Sequence, residues 1–162
     1  MNSGRHLGDA DSRIVAQQES RIGIIMQHAE RRRGASRPAI LLSDTDYDLI
    51  ASYATGLEQA QPELADMLFK EINRARICPA AKVPDTVVKL GSKIAYFDDR
   101  SGVVRNVQLV LPGKANIDEG SISILTPVGA GLIGLRAGQS INWPGLDGSP
   151  RILSVLEVIS AA

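Results

Sequence analysis

The chain of 162 residues is poor in most of the residues that carry chemistry. It has one cysteine, Cys78, so it cannot staple itself, and a reducing compartment fits it best. Its two histidines, His6 and His28, both lie in the first fifth of the chain. Clustered His, Cys or acidic ligands are missing, which leaves no metal site and no cofactor to expect. Nucleophilic catalysis finds no Ser-His or Cys-His partnership either: Cys78 sits beside Pro79 at a helix end and reads as a small buried hydrophobe. Aromatic residues make up 4%. No apolar run reaches the roughly 18 residues that a membrane span needs. No apolar core follows the first basic residues, so no secretion signal is visible, and a cytoplasmic protein is expected. Net charge is zero, which gives no overall attraction to nucleic acid or to a membrane surface.

The charge that is present is unevenly placed. Residues 1–37 carry seven arginines against four acids, a net of +3, and the rest of the chain is −3. An acidic body with a basic tail argues against sequence-specific DNA binding by the body. Residues 1–37 read as a flexible basic N-terminal extension, or as a basic arm for an acidic partner. Met26 is also a possible start of a shorter product.

Hydrophobic residues make up 44%, enough for a core. From residue 38 to 79 the pattern is helical. Ser43 marks a helix start, with Asp46 placed to complete a capping box and Leu42 and Tyr47 to form a hydrophobic staple. Tyr47, Ile50, Tyr53, Ala54 and Leu57 recur at helical spacing, and Gly56 ends the run. Asp44, Asp46 and Asp48 look metal-like, but on a first helical turn they radiate around the axis and favour the helix dipole. A second helix opens at Pro62, carries Leu64, Ala65, Leu68, Ile72 and Ala75 on one stripe, and ends near Arg76. Two helices joined by about five residues fold back as a short antiparallel hairpin, a coiled coil of a few turns.

From residue 80 to 162 the period changes. Val87–Leu90, Lys93–Phe97, Val103–Leu111, Ser121–Leu125, Ile141–Trp143 and Ile152–Ile159 read as antiparallel strands, with turns at Asp98–Gly102 and Gly145–Pro150 and one short helix at Val128–Leu135. The fold class is therefore α+β.

Gly129, Gly131 and Gly134 spell G-x-G-x-x-G, the loop that cradles a dinucleotide. The context excludes that function. The helix ends by Gly138, and the 28 residues after Gly134 read strand, turn, strand, with no crossover helix and no acid placed for a ribose. The glycines then serve a tight turn and close packing.

Several segments together carry a resemblance. Arg37-Pro38 precedes the first helix. EINRARIC (71–78) and VPDTVV (83–88) form a hinge, and LGSKI (90–94) opens the sheet. ILTPVGAGLIGLRAG (124–138), followed by SINW (140–143), is the signature. Spread over about 125 positions, this combination resembles the Gre-type transcription elongation factor superfamily, and within it the branch of the regulators of nucleoside diphosphate kinase. The resemblance implies an FKBP-like C-terminal domain that docks on bacterial RNA polymerase at its secondary channel, with the helical hairpin pointing inward. It assigns docking to Thr126 and Pro127, with Asp118 and Glu119 just upstream. The sequence departs from the family in Thr126, usually Ser, and in Gln139, usually Asp.

Gre factors stimulate transcript cleavage with acids at the tip of a long hairpin. Here two helices of about twelve and fourteen residues make a rod of roughly 18–21 Å. Its tip offers Glu58, with Glu63 just beyond, so no cleavage stimulation and no enzyme activity are expected. The expected function is to occupy polymerase and compete with Gre-type factors. The alternative is a protein-binding adaptor that influences nucleoside diphosphate kinase levels without polymerase contact. An FKBP-like fold also raises prolyl isomerisation, but its pocket needs clustered aromatics. The β half has Tyr96, Phe97 and Trp143, of which the first two are consecutive and face opposite sides of a strand. No small-molecule substrate is expected.

Overall fold

The chain divides into two units, Met1–Arg33 and Gly34–Ala162. The structure, a computed structural model, describes residues 37–143 and 149–159 and, in the first unit, Gln17 alone. The expected basic extension and the interior of the turn at Gly145–Pro150 thus lie outside the described residues.

The second unit is α+β, with three α-helices and a mostly antiparallel sheet. A short strand, β1 (Leu41–Ser43), leads into helix α1 (Asp44–Leu57). Helix α2 (Pro62–Arg74) returns and runs into β2 (Arg76–Cys78). Ser43 caps α1 as expected, its Oγ accepting the Asp46 N–H at 3.0 Å. The other half of the capping box does not form. Asp46 Oδ2 instead accepts the Leu90 N–H at 3.2 Å, because Ser43 belongs to the β1 ladder and the carboxylate is free to turn toward the following domain. Leu41 and Leu42, just ahead of the expected helix start, form a strand with Ser43 that pairs in parallel with Arg76–Cys78, so both feet of the hairpin stand on one two-stranded clip. Cys78 lies in this clip and is half-buried, not enclosed.

The helices bury the stripes that their periodicity marks. Ile50 and Ala54 of α1 meet the core with Leu64, Ala65, Leu68 and Ile72 of α2. Asp66 and Lys70 pair one turn apart on the exposed side of α2 at 2.6 Å. Beneath, Glu71 is fully buried and joins Arg37 at 2.8 Å and Arg74 at 2.5 Å. Arg74 also donates to the Pro38 carbonyl, so the segment entering β1 is tied to the end of α2.

The main sheet has the order β5-β4-β3-β7-β6, from β3 (Lys93–Asp98), β4 (Val103–Val110), β5 (Ser121–Ser123), β6 (Ser140–Asn142) and β7 (Ile152–Ile159). Neighbours are antiparallel except β4 and β5, which are parallel and meet only from Gln108 to Val110. Residues 87–90 make no strand; Val87 forms a single bridge to Arg136. Helix α3 (Pro127–Leu132) is shorter than its apolar run suggests, because Gly134 takes a positive φ of 77°. There its carbonyl accepts the Leu41 N–H at 3.1 Å and its N–H reaches Val88 O at 3.0 Å. One core then joins hairpin and sheet: Ile50, Leu68 and Ile72 share it with Leu132, Leu135 and Trp143.

Candidate functional site

Thr126 is the N-cap of α3. Its hydroxyl donates to Ser123 O at 2.8 Å and accepts the Gly129 N–H at 3.1 Å. Pro127 follows as the first helical residue, where its missing N–H costs nothing. Both residues are partly exposed. The Thr126 side chain therefore shapes the turn, and the surface that the turn offers is mainly the Pro127 ring.

Asp118 and Glu119 sit on an exposed single turn, Ile117–Glu119. Asn116 Oδ1 accepts the Asp118 N–H at 3.1 Å, and Gly120 leaves the turn at a φ of 75°. Thr126, Pro127, Asp118 and Glu119 do not themselves line one groove. Glu119 lines one of about 380 Å³ with Lys93 and Glu157, and only neighbours of the two pairs share another. Ile117, just before Asp118, and Val128, just after Pro127, line that larger groove of about 710 Å³. Glu58 and Glu63 are exposed at the far end of the hairpin and join neither groove. Among the described residues no His, Cys, Asp or Glu cluster could hold a metal ion. Asp44, Asp46 and Asp48 do not converge: Asp44 accepts the Thr45 N–H at 2.8 Å, and Asp46 reaches Leu90.

The larger groove holds residues that pattern reasoning passed over. Asp98 is buried beneath it and takes a two-pronged contact from Arg151, Nε to Oδ1 at 3.1 Å and Nη2 to Oδ2 at 2.5 Å. Burial alone would raise the Asp98 pKa. The Arg151 hydrogen bonds and charge, with the backbone N–H groups of Arg100 and Ser101, outweigh it and hold the carboxyl below its usual value. The buried ring of Tyr96 lies alongside; burial pushes its phenol up, so it is a donor at neutral pH. Asp98 was expected to open a turn, and its 53-residue separation from Arg151 hid the pair. Phe97 points away from the groove, as alternation requires. Trp143 is fully buried, with the Arg37 guanidinium 5.0 Å from its ring.

The model for the C-terminal part of the transcription elongation factors GreA and GreB matches residues 83–160. The regulator of nucleoside diphosphate kinase of Escherichia coli is 36% identical over 123 residues, covering 76% of this chain and 90% of that protein. The transcription elongation factor GreA of Sinorhizobium medicae is 30% identical over 141 residues, covering 86% of this chain and 84% of that one. Among solved structures, the prokaryotic transcription elongation factor GreA/GreB from Nitrosomonas europaea superposes with a TM-score of 0.59 at 30% identity, over 74% of this chain and 98% of the other. The family match and the identity to these relatives show that the chain belongs to the GreA/GreB transcription elongation factor family, close to the regulator of nucleoside diphosphate kinase.

Proposed function

We propose that this protein is a transcription regulator that docks on bacterial RNA polymerase at the secondary channel, through the surface formed by Pro127, Asp118 and Glu119 with Thr126 fixing the turn. In this reading the C-terminal part is an FKBP-like docking domain and the hairpin a short coiled coil, with the boundary near residues 79–80. The protein occupies the site, competes with Gre-type factors and stimulates no transcript cleavage. It acts in the cytoplasm; among the described residues no helix is long and apolar enough to cross a membrane.

The observation that supports the reading best is the Thr126-capped turn with Pro127 at the head of α3, on a family fold whose hairpin is short. Helices of 14 and 13 residues extend about 20 Å. The tip acids Glu58 and Glu63 are exposed and are not part of any carboxylate cluster among the described residues, so nothing there supports a second metal.

Co-purification with core RNA polymerase, with and without a competing Gre factor, tests the reading. Binding that the Gre factor displaces is expected, and binding that is indifferent to it rejects a shared site. Cleavage in a stalled complex that disappears with Glu58→Ala would overturn the no-cleavage claim. The name of the Escherichia coli relative favours a second reading, an adaptor that influences nucleoside diphosphate kinase levels without touching polymerase. Pro127→Ala separates the two: loss of polymerase retention by a folded variant supports docking, and absence of polymerase binding in every variant supports the adaptor.

A further inference from the structure

Strand β4 has an outer edge that its neighbour covers only in part. The Gln108 N–H donates outward to Gly120 O at 2.8 Å, and Val110 O accepts Ile124 N–H at 3.0 Å, whereas the Leu109 N–H turns inward to Ser92 O at 3.0 Å. Backbone direction alternates along a strand, so the backbone groups of Val104 and Asn106 face the same outer edge as those of Gln108. β5 begins at Ser121, opposite Gln108, and among the described residues no strand pairs with Val103–Val107 on that side. This stretch borders the groove, where Arg105 lies on the same sheet face as Tyr96 and Asp98.

An uncovered edge is a template for another extended chain. The charge around it selects the occupant. Arg100, Arg105 and Arg151 line the groove against one acid, Asp98, which Arg151 already engages. Arg105 makes no hydrogen bond or ion pair among the described residues, and neither does the Tyr96 hydroxyl. The groove's volume of about 710 Å³ suits a short segment. Ile117, 85% exposed, adds an apolar shelf at one end. A second copy of this chain would bring the same arginines to the same edge and be repelled.

We propose that the Val103–Asn106 edge of β4 binds an extended acidic peptide segment of a partner protein by strand addition. The segment pairs with the outward backbone groups of Val104 and with the Asn106 N–H, Gly120 already lying beside the Asn106 carbonyl, and sets carboxylates on Arg105 and the Tyr96 hydroxyl. The proposal goes beyond the polymerase reading and does not rest on it; either can fail while the other stands.

The test is calorimetric titration of the full chain with a capped peptide of about eight residues, alternating Glu and Val. Three further arms use the same peptide with Lys for Glu, the same peptide N-methylated at alternate residues, and the variants Arg105→Glu and Val104→Pro. Proline at 104 removes an outward N–H and leaves the ladder to β3 intact. Binding of the acidic peptide is expected, weakened by about tenfold or more in each altered arm, the equivalent of one lost contact. If Val104→Pro does not fold, the N-methylated peptide and Arg105→Glu still decide. No binding of the acidic peptide, equal binding of the Lys or N-methylated peptide, or self-association of the free chain that occupies this edge would overturn the proposal.

Discussion

Gly129 lies so close to Ser123 that a Cβ on the glycine would overlap the Ser123 carbonyl oxygen. That same carbonyl accepts the Thr126 hydroxyl. The glycine pattern at 129–134 therefore serves contact between α3 and the strand before it, and no phosphate cradle is formed. Gly129→Ala sets a methyl against backbone, which cannot move aside cheaply, and is expected to destabilise by about 1–3 kcal/mol or more. At Gly131 the obstacle is the Trp143 ring at 3.0 Å, a milder overlap than the one with the Ser123 carbonyl, and alanine also favours a helix. Gly131→Ala is expected to cost less than Gly129→Ala. Urea unfolding of both variants checks the order, and the reverse order would refute this account of the motif.

Thr126 links stability to docking. Its hydroxyl caps α3, so Thr126→Ala is expected to lose about 1 kcal/mol, while Thr126→Ser keeps both hydrogen bonds and stays near the parent. If the side chain acts on polymerase through the turn, retention on polymerase follows the same order, with Ser close to Thr. Equal retention of Ala and Thr variants would assign docking to Pro127 and its neighbours alone.

Glu71 joins Arg37 to Arg74 and holds the strand entering the hairpin. It is fully buried, and its arginine partners are only partly so. Glu71→Gln leaves the geometry but removes the charge, and is expected to cost about 1.5–3 kcal/mol. Arg37 also stacks on Trp143, whose indole N–H has no acceptor in the structure. The loss should therefore appear in tryptophan fluorescence as well as in the unfolding midpoint. A variant as stable as the parent would show the cluster to be incidental.

The helices were legible because their signals are local: Ser43 beside an apolar stripe, and Pro62 at a first helical position. The six strand segments gave five strands, since residues 93–98 and 103–110 alternate plainly. What sequence could not reveal was pairing at a distance. Leu41–Ser43 became a strand only because Arg76–Cys78 lies alongside, and residues 87–90 failed to become one because their N–H groups go to four different partners, Pro84 O, Leu135 O, Ser92 Oγ and Asp46 Oδ2. β5 runs parallel to β4 against a uniformly antiparallel expectation, as a long loop with a turn at Ile117–Glu119 brings it back in the same direction. The residues proposed for docking were legible only through the family resemblance, whereas the Asp98–Arg151 pair required the fold.

Two carboxylates, Asp98 buried and Asp46 half-buried, should give opposite pH responses. The Asp98 pKa is lowered in the folded protein, with Arg151 and backbone donors overcoming burial. Its contribution is present above the unfolded carboxylate value of about 3.9 and is lost as pH falls through the lower folded value. The Asp46 pKa is raised by burial, which exceeds the opposing effects of the Leu90 N–H, Lys89 and Ser43. A raised carboxylate favours the fold below the unfolded value, and that contribution is lost as pH climbs through the folded one. Asp98→Asn should therefore destabilise most at neutral pH, with the gap from the parent closing as the solution is acidified below about pH 4. Asp46→Asn keeps an acceptor for Leu90 without the partly desolvated charge. It should match the parent at low pH and gain on it as pH rises toward neutrality. Unfolding free energies measured against pH for the three proteins decide the matter. Parallel curves for parent and Asp98→Asn would mean that Arg151 is held by something other than the charge of its partner.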